Sequence, residues 1–467
     1  MKKSTYFLVA LLIVGANCKA QNVTSLWCAT PSGGVYHDGT LLKMNADGSG
    51  LIKVADFDMC ISEQANGYLI QASNGLLYGT SYWGGCAHSC NIFSCDPVTG
   101  TCADVYEFQA PTGYEPYGGV AELNNVLYGT TWNGGANGDG VFYSFNLTTG
   151  AYRDVVDFNA NNGFYPRQSP IVYNGKVYGL TPEGGNSGLG VIYCYDPVDS
   201  SFTVVHNFTQ SEGGWAFAPL TVGSDGKLYG FTSSGGANGK GALFSFDIGN
   251  GICANLYSFT LSSGGAPSCS PVEVSNGVFC GTTSEGGSDS LGVIFSYNTL
   301  TGNYQVLHNF SNGEGTYSVC TLCLSPNGQL FGVGGGSASN PAGIVYSIDP
   351  VSGSFNILYN LSNSLGTCPQ GGFSIVSAPQ SVNQLTESNA INLFPNPAHD
   401  AIDISASLKG EVSFTILNSL GQSVKEWNEN TAMNYHKLID VSDLESGIYF
   451  VEMKNGSEVV TKKFVKE

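Results

Sequence analysis

Short runs of apolar and aromatic residues recur along most of the chain, each bounded by Gly, Pro, Asn or Asp. That pattern predicts short β-strands joined by tight turns. The runs also repeat as a set. Leu127-Tyr128-Gly129-Thr130 has relatives at Leu77-Tyr78-Gly79-Thr80, Val177-Tyr178-Gly179-Leu180, Leu228-Tyr229-Gly230-Phe231, Cys280-Gly281-Thr282-Thr283 and Leu330-Phe331-Gly332-Val333. The marker glycines 79, 129, 179, 230, 281 and 332 are 50 or 51 residues apart. A diverged first copy, Leu26-Trp27-Cys28-Ala29-Thr30, lies one step before Gly79, which makes seven. Other columns keep the step: a Gly-Gly pair beginning at 84, 134, 184, 235 and 286, and a buried-type Phe or Leu at 57, 108, 158, 208, 259, 310 and 361.

Each unit therefore holds four short strands. A lone sheet of this kind cannot bury both faces, whereas radial stacking covers every sheet with its neighbours. The expectation is an all-β seven-bladed β-propeller over residues 21–378. The first copy lacks its leading strand, and Gly371-Gly372-Phe373-Ser374-Ile375-Val376 resembles that strand. The two ends are thus expected to share one blade and close the ring, where a solenoid needs polar caps. Turns such as Asn174-Gly175 are short, but the connections from Thr131 to Gly140 and from Phe158 to about Gln168 are long. In an up-and-down blade both long loops emerge on one face, which is the face expected to carry function.

After Ser377 the pattern changes. Residues 379–390 read as a polar linker, and residues 391–467 carry strong period-two strands. At the other end, Lys2 and Lys3 precede an apolar run from Phe7 to Ala16, so residues 1–20 read as a signal peptide cleaved before Gln21. A lipoprotein signal acylated at Cys18 is the competing reading, and Asn17 fits it poorly. No other segment is long and apolar enough to span a bilayer. Of 14 cysteines, 13 follow the signal, an odd number in a compartment that permits disulfides. Cys95 and Cys102 flank a tight turn and can face each other across a hairpin. Cys86 with Cys90 is a second candidate, and Cys269 with Cys320 a third.

The net charge is −19, and residues 21–380 hold 7 Lys/Arg against 24 Asp/Glu. Nucleic acid needs a basic footprint and is excluded as a partner.

The repeats, on cores such as Gly140-Val141-Phe142 and Gly292-Val293-Ile294-Phe295, resemble the GloVer-type tandem repeats of secreted bacterial proteins. That resemblance implies a propeller-like fold and brings no activity with it. The tail is similar to the C-terminal sorting domain of the type IX (Por) secretion system of the Bacteroidetes. Four blocks carry the likeness: Asn392-Leu393-Phe394-Pro395-Asn396-Pro397, Ile416 to Gln422, Leu444 to Val451, and Lys462 to Lys466. It implies a small Ig-like β-sandwich over residues 391–467, handling by the type IX machinery, removal of the tail, and release or attachment at the outer-membrane surface.

On the long-loop face lie Tyr82, Trp83, Trp132 and Trp215, with Tyr114, Tyr117, Tyr165 and Tyr317 nearby. Flat rings among small polar residues make sugar or peptide platforms; the bland alternative is rings packed to stiffen the loops. The same loops carry Asp139, Glu183, Glu285 and Asp289, and Glu115, Glu212 and Glu314. Paired carboxylates serve glycoside cleavage or bind calcium; the bland alternative is solvated loop tips. His88, His37 and Arg167 admit a lyase-like constellation with a tyrosine, whereas His206 and His308, in a shared Val-x-His-Asn-Phe column, read as structural. No Gly-x-Ser-x-Gly elbow, P-loop or dinucleotide fingerprint occurs, and no catalytic residue, metal ligand or cofactor is assigned, calcium remaining open. The expectation is a secreted or surface-attached, non-membrane-spanning binding module for a glycan or protein. Its ligand residues are Tyr82, Trp83, Trp132, Asp139, Glu183, Trp215 and Glu285. The alternative is a carbohydrate-active hydrolase or lyase using the same face.

Overall fold

Each marker glycine lies directly across a strand pair from an aromatic residue: Gly79 from Phe93, Gly129 from Tyr143, Gly179 from Tyr193, Gly230 from Phe244, Gly281 from Phe295 and Gly332 from Tyr346. The ring lies over the glycine, filling the space a side chain would take. A Cβ on Gly179 would sit 2.2 Å from Tyr193 Oη, and one on Gly129 2.3 Å from Tyr143 Oη. The repeat's most regular column is therefore set by packing.

The computed structural model describes residues 22–65, 67–85, 89–267, 269–314, 321–336, 340–367, 369, 371–379, 392–406, 410–418, 422–431, 435–455 and 458–467. The proposed signal peptide, nearly all of the linker, Cys86, His88, Tyr317 and Cys320 lie outside them. The chain divides into two compact units, one over Gln21–Pro379 and one containing Gln380–Glu467.

In the first unit the described strands form antiparallel sheets, most of them four-stranded, with neighbours in the sheet also neighbours in the chain. A typical sheet runs from Ile171–Tyr173 through Lys176–Thr181 and Val191–Asp196 to Ser201–Asn207. The middle strands are buried on both faces, as in Leu77–Ser81 and Leu228–Thr232. That explains why they read as continuous apolar runs without alternation. The sheet containing Asn22–Thr30 and Thr40–Asn45 takes its remaining inner strand from the far end, Ser374–Pro379, with Leu26 opposite Ile375. The column at 57, 108, 158, 208, 259, 310 and 361 is buried throughout. Each of its members follows an outer strand and donates its N–H to a neighbouring loop, as Phe158 does to Gly140 O at 2.9–3.1 Å in the series from Phe57 to Leu361; the Phe108 partner is Cys90 O at 2.8 Å. Asn174 and Gly175 have φ of 49° and 73°, the paired left-handed residues of a type I′ hairpin. Cys95 and Cys102 form a disulfide across their hairpin. Cys269 is a buried thiol accepting hydrogen bonds from Thr282 N and Oγ1, both at 3.1 Å.

On the outer strand Tyr152–Asp157, half-buried Asp154 has its pKa raised to about 6, first by burial and then by the nearby Asp157 carboxylate. Asp157 is held in place by the N–H of Ala136 at 2.6 Å. A folded pKa above the unfolded value of about 3.9 favours the folded state while the proton is on. That contribution is complete below about pH 4 and is lost as pH rises through about 6. Asp154→Asn is expected to be more stable than the parent at pH 7, by about 1 kcal/mol or less given solvent screening, and no more stable at pH 4. Urea midpoints at the two pH values check this; equal gains at both would contradict it.

In the second unit, the sheet of Asn392–Phe394, Ala401–Ala406 and Tyr435–Asp440 shares one core with the sheet of Gly410–Asn418, Ser423–Thr431, Gly447–Asn455 and Glu458–Lys466. Ile402, Ile404, Phe414, Val451 and Phe464 are wholly buried in it. Phe414 stacks on Trp427 and Tyr435, at 5.3 and 4.6 Å. The first and last of the four sorting blocks meet, with Val465 N donating to Asn396 Oδ1 at 2.9 Å and Ala398 N to Val465 O at 2.7 Å.

Candidate functional site

The long loop that follows the outer strand of one repeat is stitched by backbone to the other long loop of the next repeat. Tyr114 pairs with Asn133, Phe164 with Glu183 and Gly214 with Ser234. At the turn of one loop a residue takes left-handed backbone in successive repeats: Gln64, Glu115, Tyr165, Trp215 and Ala266 have φ between 49° and 61°. Such a conformation costs roughly 1 kcal/mol or more in a residue with a side chain. It is offset where the freed carbonyl accepts an N–H from the other loop, as Glu115 O does from Trp132 N at 2.9 Å and Trp215 O from Ser233 N at 3.2 Å.

This stitching brings two sequence columns side by side. One holds Tyr82 and Trp132, the other Tyr117, Arg167 and Phe217, each at the repeat step. They interleave into a continuous belt. Tyr82 meets Tyr117 at 4.6 Å, and Tyr117 meets Trp132 edge-on at 5.4 Å. The Arg167 guanidinium lies 4.1 Å from the Trp132 centroid, 5.0 Å from Tyr117 and 5.7 Å from Phe217. Trp83 caps one end at 5.4 Å from Tyr82, and Trp215 the other at 6.5 Å from Phe217. Trp83 and Trp215 are 43% and 49% exposed, whereas the inner rings are half-buried. In the next three repeats the Tyr82/Trp132 column continues as Pro182, Ser233 and Ser284, so the belt occupies one side of the face.

Tyr82 holds its phenol proton well above the usual pH, through burial first and then the nearby Tyr117 and Glu115. Glu115 also takes a hydrogen bond from Asn133 Nδ2. The Glu115 carboxylate thus faces both the Tyr82 phenol and the Asn133 amide. The other carboxylates are dispersed. Asp139 and Glu183 meet the neighbouring loop only through their backbone carbonyls, which accept from Tyr165 N at 2.9 Å and Phe164 N at 3.0 Å. Exposed Glu285 pairs with Lys240 at 3.0 Å. Glu212 and Glu314 pair with His206 and His308 at 3.1 and 3.0 Å. Tyr82, Trp83, Trp132 and Trp215 therefore come together, and Asp139, Glu183 and Glu285 do not add side chains to them through any ring contact or ion pair among the described residues. Sequence reasoning passed over Arg167 as the hub, and Phe217. Aligning the two loop columns against each other would have found both. Directly beyond Arg167 in the chain, the inner strands line a cavity of about 460 Å³ bordered by Tyr68, Gln71, Glu122, Ser169, Pro219 and Thr321.

The repeat model described as the Gloeobacter/Verrucomicrobia repeat matches residues 15–188, 112–269 and 170–382. The chain belongs to this repeat family. Residues 392–467 match the secretion system C-terminal sorting domain, so this repeat-family protein is exported by the type IX system to the cell surface or the extracellular space. Among the described residues no helix is long and apolar enough to cross a membrane. No curated protein matches the chain. Among solved structures, a Bacteroides uniformis protein assigned as a 6-phosphogluconolactonase is 14% identical, with a TM-score of 0.51 over 76% of this chain and 100% of that one. The periplasmic gluconolactonase of Pseudomonas aeruginosa is 15% identical, with a TM-score of 0.50 over 76% of this chain and 100% of that one. At such identities the likeness concerns the propeller-like fold alone.

Proposed function

We propose that the repeat-family ring is a seven-bladed propeller, closed by pairing of its two ends, that binds a glycan on the long-loop face. It is followed by an Ig-like sorting tail from residue 391, joined through a linker over 379–390. The observation that carries the binding reading is the belt Tyr82–Tyr117–Trp132–Arg167–Phe217. It joins flat rings and a guanidinium in one row, with exposed tryptophans at both ends. Sugar rings present apolar C–H faces to such rings and hydroxyls to the guanidinium, and rigid aromatics lose little entropy on binding. The dispersed and paired loop carboxylates favour binding over hydrolysis.

The test is a panel of polysaccharides offered to the mature chain, recording affinity together with new reducing or unsaturated ends. The expected result is saturable binding without cleavage, weakened about 10- to 100-fold by Trp132→Ala, the loss of one stacked ring at a hot spot. Cleavage products would overturn the reading in favour of a hydrolase or lyase, and binding untouched by Trp132→Ala would move the ligand off the belt.

A further inference from the structure

Neighbouring sheets of the ring meet along their outer strands, and one position of that seam repeats. Tyr106 stacks on Tyr152 at 4.4 Å, Tyr257 on Tyr304 at 4.2 Å and His308 on Phe355 at 3.9 Å. By the repeat step, His206 on Ser201–Asn207 and Cys253 on Ile252–Ser258 hold the same two places at another junction. There a thiol stands where these three junctions carry a ring. Glu212 completes the group. Its Oε2 lies 3.1 Å from His206 Nε2 and accepts from Thr209 N at 2.9 Å and Thr209 Oγ1 at 2.8 Å. The His206 and Glu212 side chains are only 15% and 14% exposed. Burial first and then the Glu212 carboxylate raise the pKa of the Cys253 thiol. One ligand atom from each residue lies within 4.8 Å of the other two, which among the described residues is true of no other His, Cys, Asp or Glu trio. The His308–Glu314 pair repeats the first two members at 3.0 Å with Phe355 in place of the thiol. The His–Glu pair alone is thus a loop lock, and Cys253 is what sets this junction apart.

We propose that His206, Glu212 and Cys253 form a binding site for a divalent transition-metal ion of the zinc type, with solvent as fourth ligand. Nitrogen, oxygen and sulfur donors together suit zinc, whereas calcium and magnesium take oxygen ligands. Tetrahedral bonds of about 2.0–2.3 Å place ligand atoms roughly 3.3–3.8 Å apart, so rotamer adjustments of about 1 Å close the site. On binding, the Cys253 thiol proton leaves to solvent, and His206 carries its single proton on Nδ1 so that Nε2 offers its lone pair. The two positive charges meet one thiolate and one carboxylate, leaving the sheltered site neutral. The ion clamps two adjacent sheets and the loop that leads from Phe208 to Trp215.

The test is a Co²⁺ titration of the reduced, metal-free mature chain, followed by Zn²⁺ displacement. The expected result is one equivalent of cobalt with a thiolate-to-cobalt band and tetrahedral visible bands, removed by stoichiometric Zn²⁺. Cys253→Phe, which copies the His308/Phe355 junction, abolishes the thiolate band, and Glu212→Gln weakens cobalt binding at least tenfold. Cys253→Ser serves as the second variant, with circular dichroism of both metal-free variants matching the parent. No thiolate band in the folded parent overturns the proposal, and so does the same band in either Cys253 variant, because the metal then sits on another cysteine.

Discussion

A ring that ends after Phe373 is expected to be less stable than one ending at Pro379 by on the order of 5 kcal/mol, from lost ladder hydrogen bonds and one emptied core position. The six residues removed do disproportionate work. They pair with the chain's first strand from Asn22–Pro379 to Trp27–Ser374 and bury Val376 completely. They also reach the next sheet, where Gln71 exchanges hydrogen bonds with Ser377 at 2.9 and 3.0 Å and Ser374 Oγ donates to Leu69 O at 2.6 Å. Without them Asn22–Thr30 becomes an open edge, and open edges recruit other chains. Urea unfolding of the two forms measures the difference, and sedimentation tests for new association. Coincident unfolding curves would mean that the ring does not depend on its terminal pairing.

Gly179→Ala is expected to cost about 3 kcal/mol, the upper end of the usual range for an overpacked core site. Gly175→Ala, four residues earlier, is expected to cost only about 1 kcal/mol. The order is the opposite of what backbone conformation alone suggests. Gly175 has the left-handed φ of 73° and nothing within 4 Å of an added methyl, so its penalty is conformational. Gly179 has ordinary strand backbone, but a methyl would lie 2.2 Å from Tyr193 Oη and 2.3 Å from Cζ. Tyr193 is fully buried and stacked on Phe202 at 5.1 Å, so it has nowhere to move. The double variant Gly179→Ala/Tyr193→Leu is expected to recover part of the loss. If Gly175→Ala proves the more damaging single change, the ring-over-glycine account of the marker column fails.

Most of the fold could be read from the chain because the repeat shows each packing solution several times. The step between Gly79, Gly129 and Gly179 marks the glycine–ring pair, and the Asn174-Gly175 dipeptide announces its hairpin before any coordinate is known. The Cys95–Cys102 bridge was legible for the same local reason, since the two residues flank one turn. The candidate site was only half legible. Tryptophans at Trp83, Trp132 and Trp215 stand out by type, but Arg167, read from sequence only as one member of a lyase-like constellation, shows no link to these rings until two loops are laid against each other.

What the sequence determined by itself was everything carried by short-range or periodic information. That covers strand positions, sheet order, the pairing of the two ends and the export signal in the four tail blocks. Period-two alternation in the tail and its absence from the middle strands of the ring report one-sided and two-sided burial respectively. The tertiary structure alone decided which side chains from different repeats touch. Tyr117 and Arg167 interleave with Tyr82 and Trp132, and Cys253 comes to face His206 and Glu212 from the next sheet. The physical reason is that these contacts join different columns of the repeat, 15 to 47 residues apart, at a stagger set by blade packing and left-handed loop turns. No local propensity encodes that stagger.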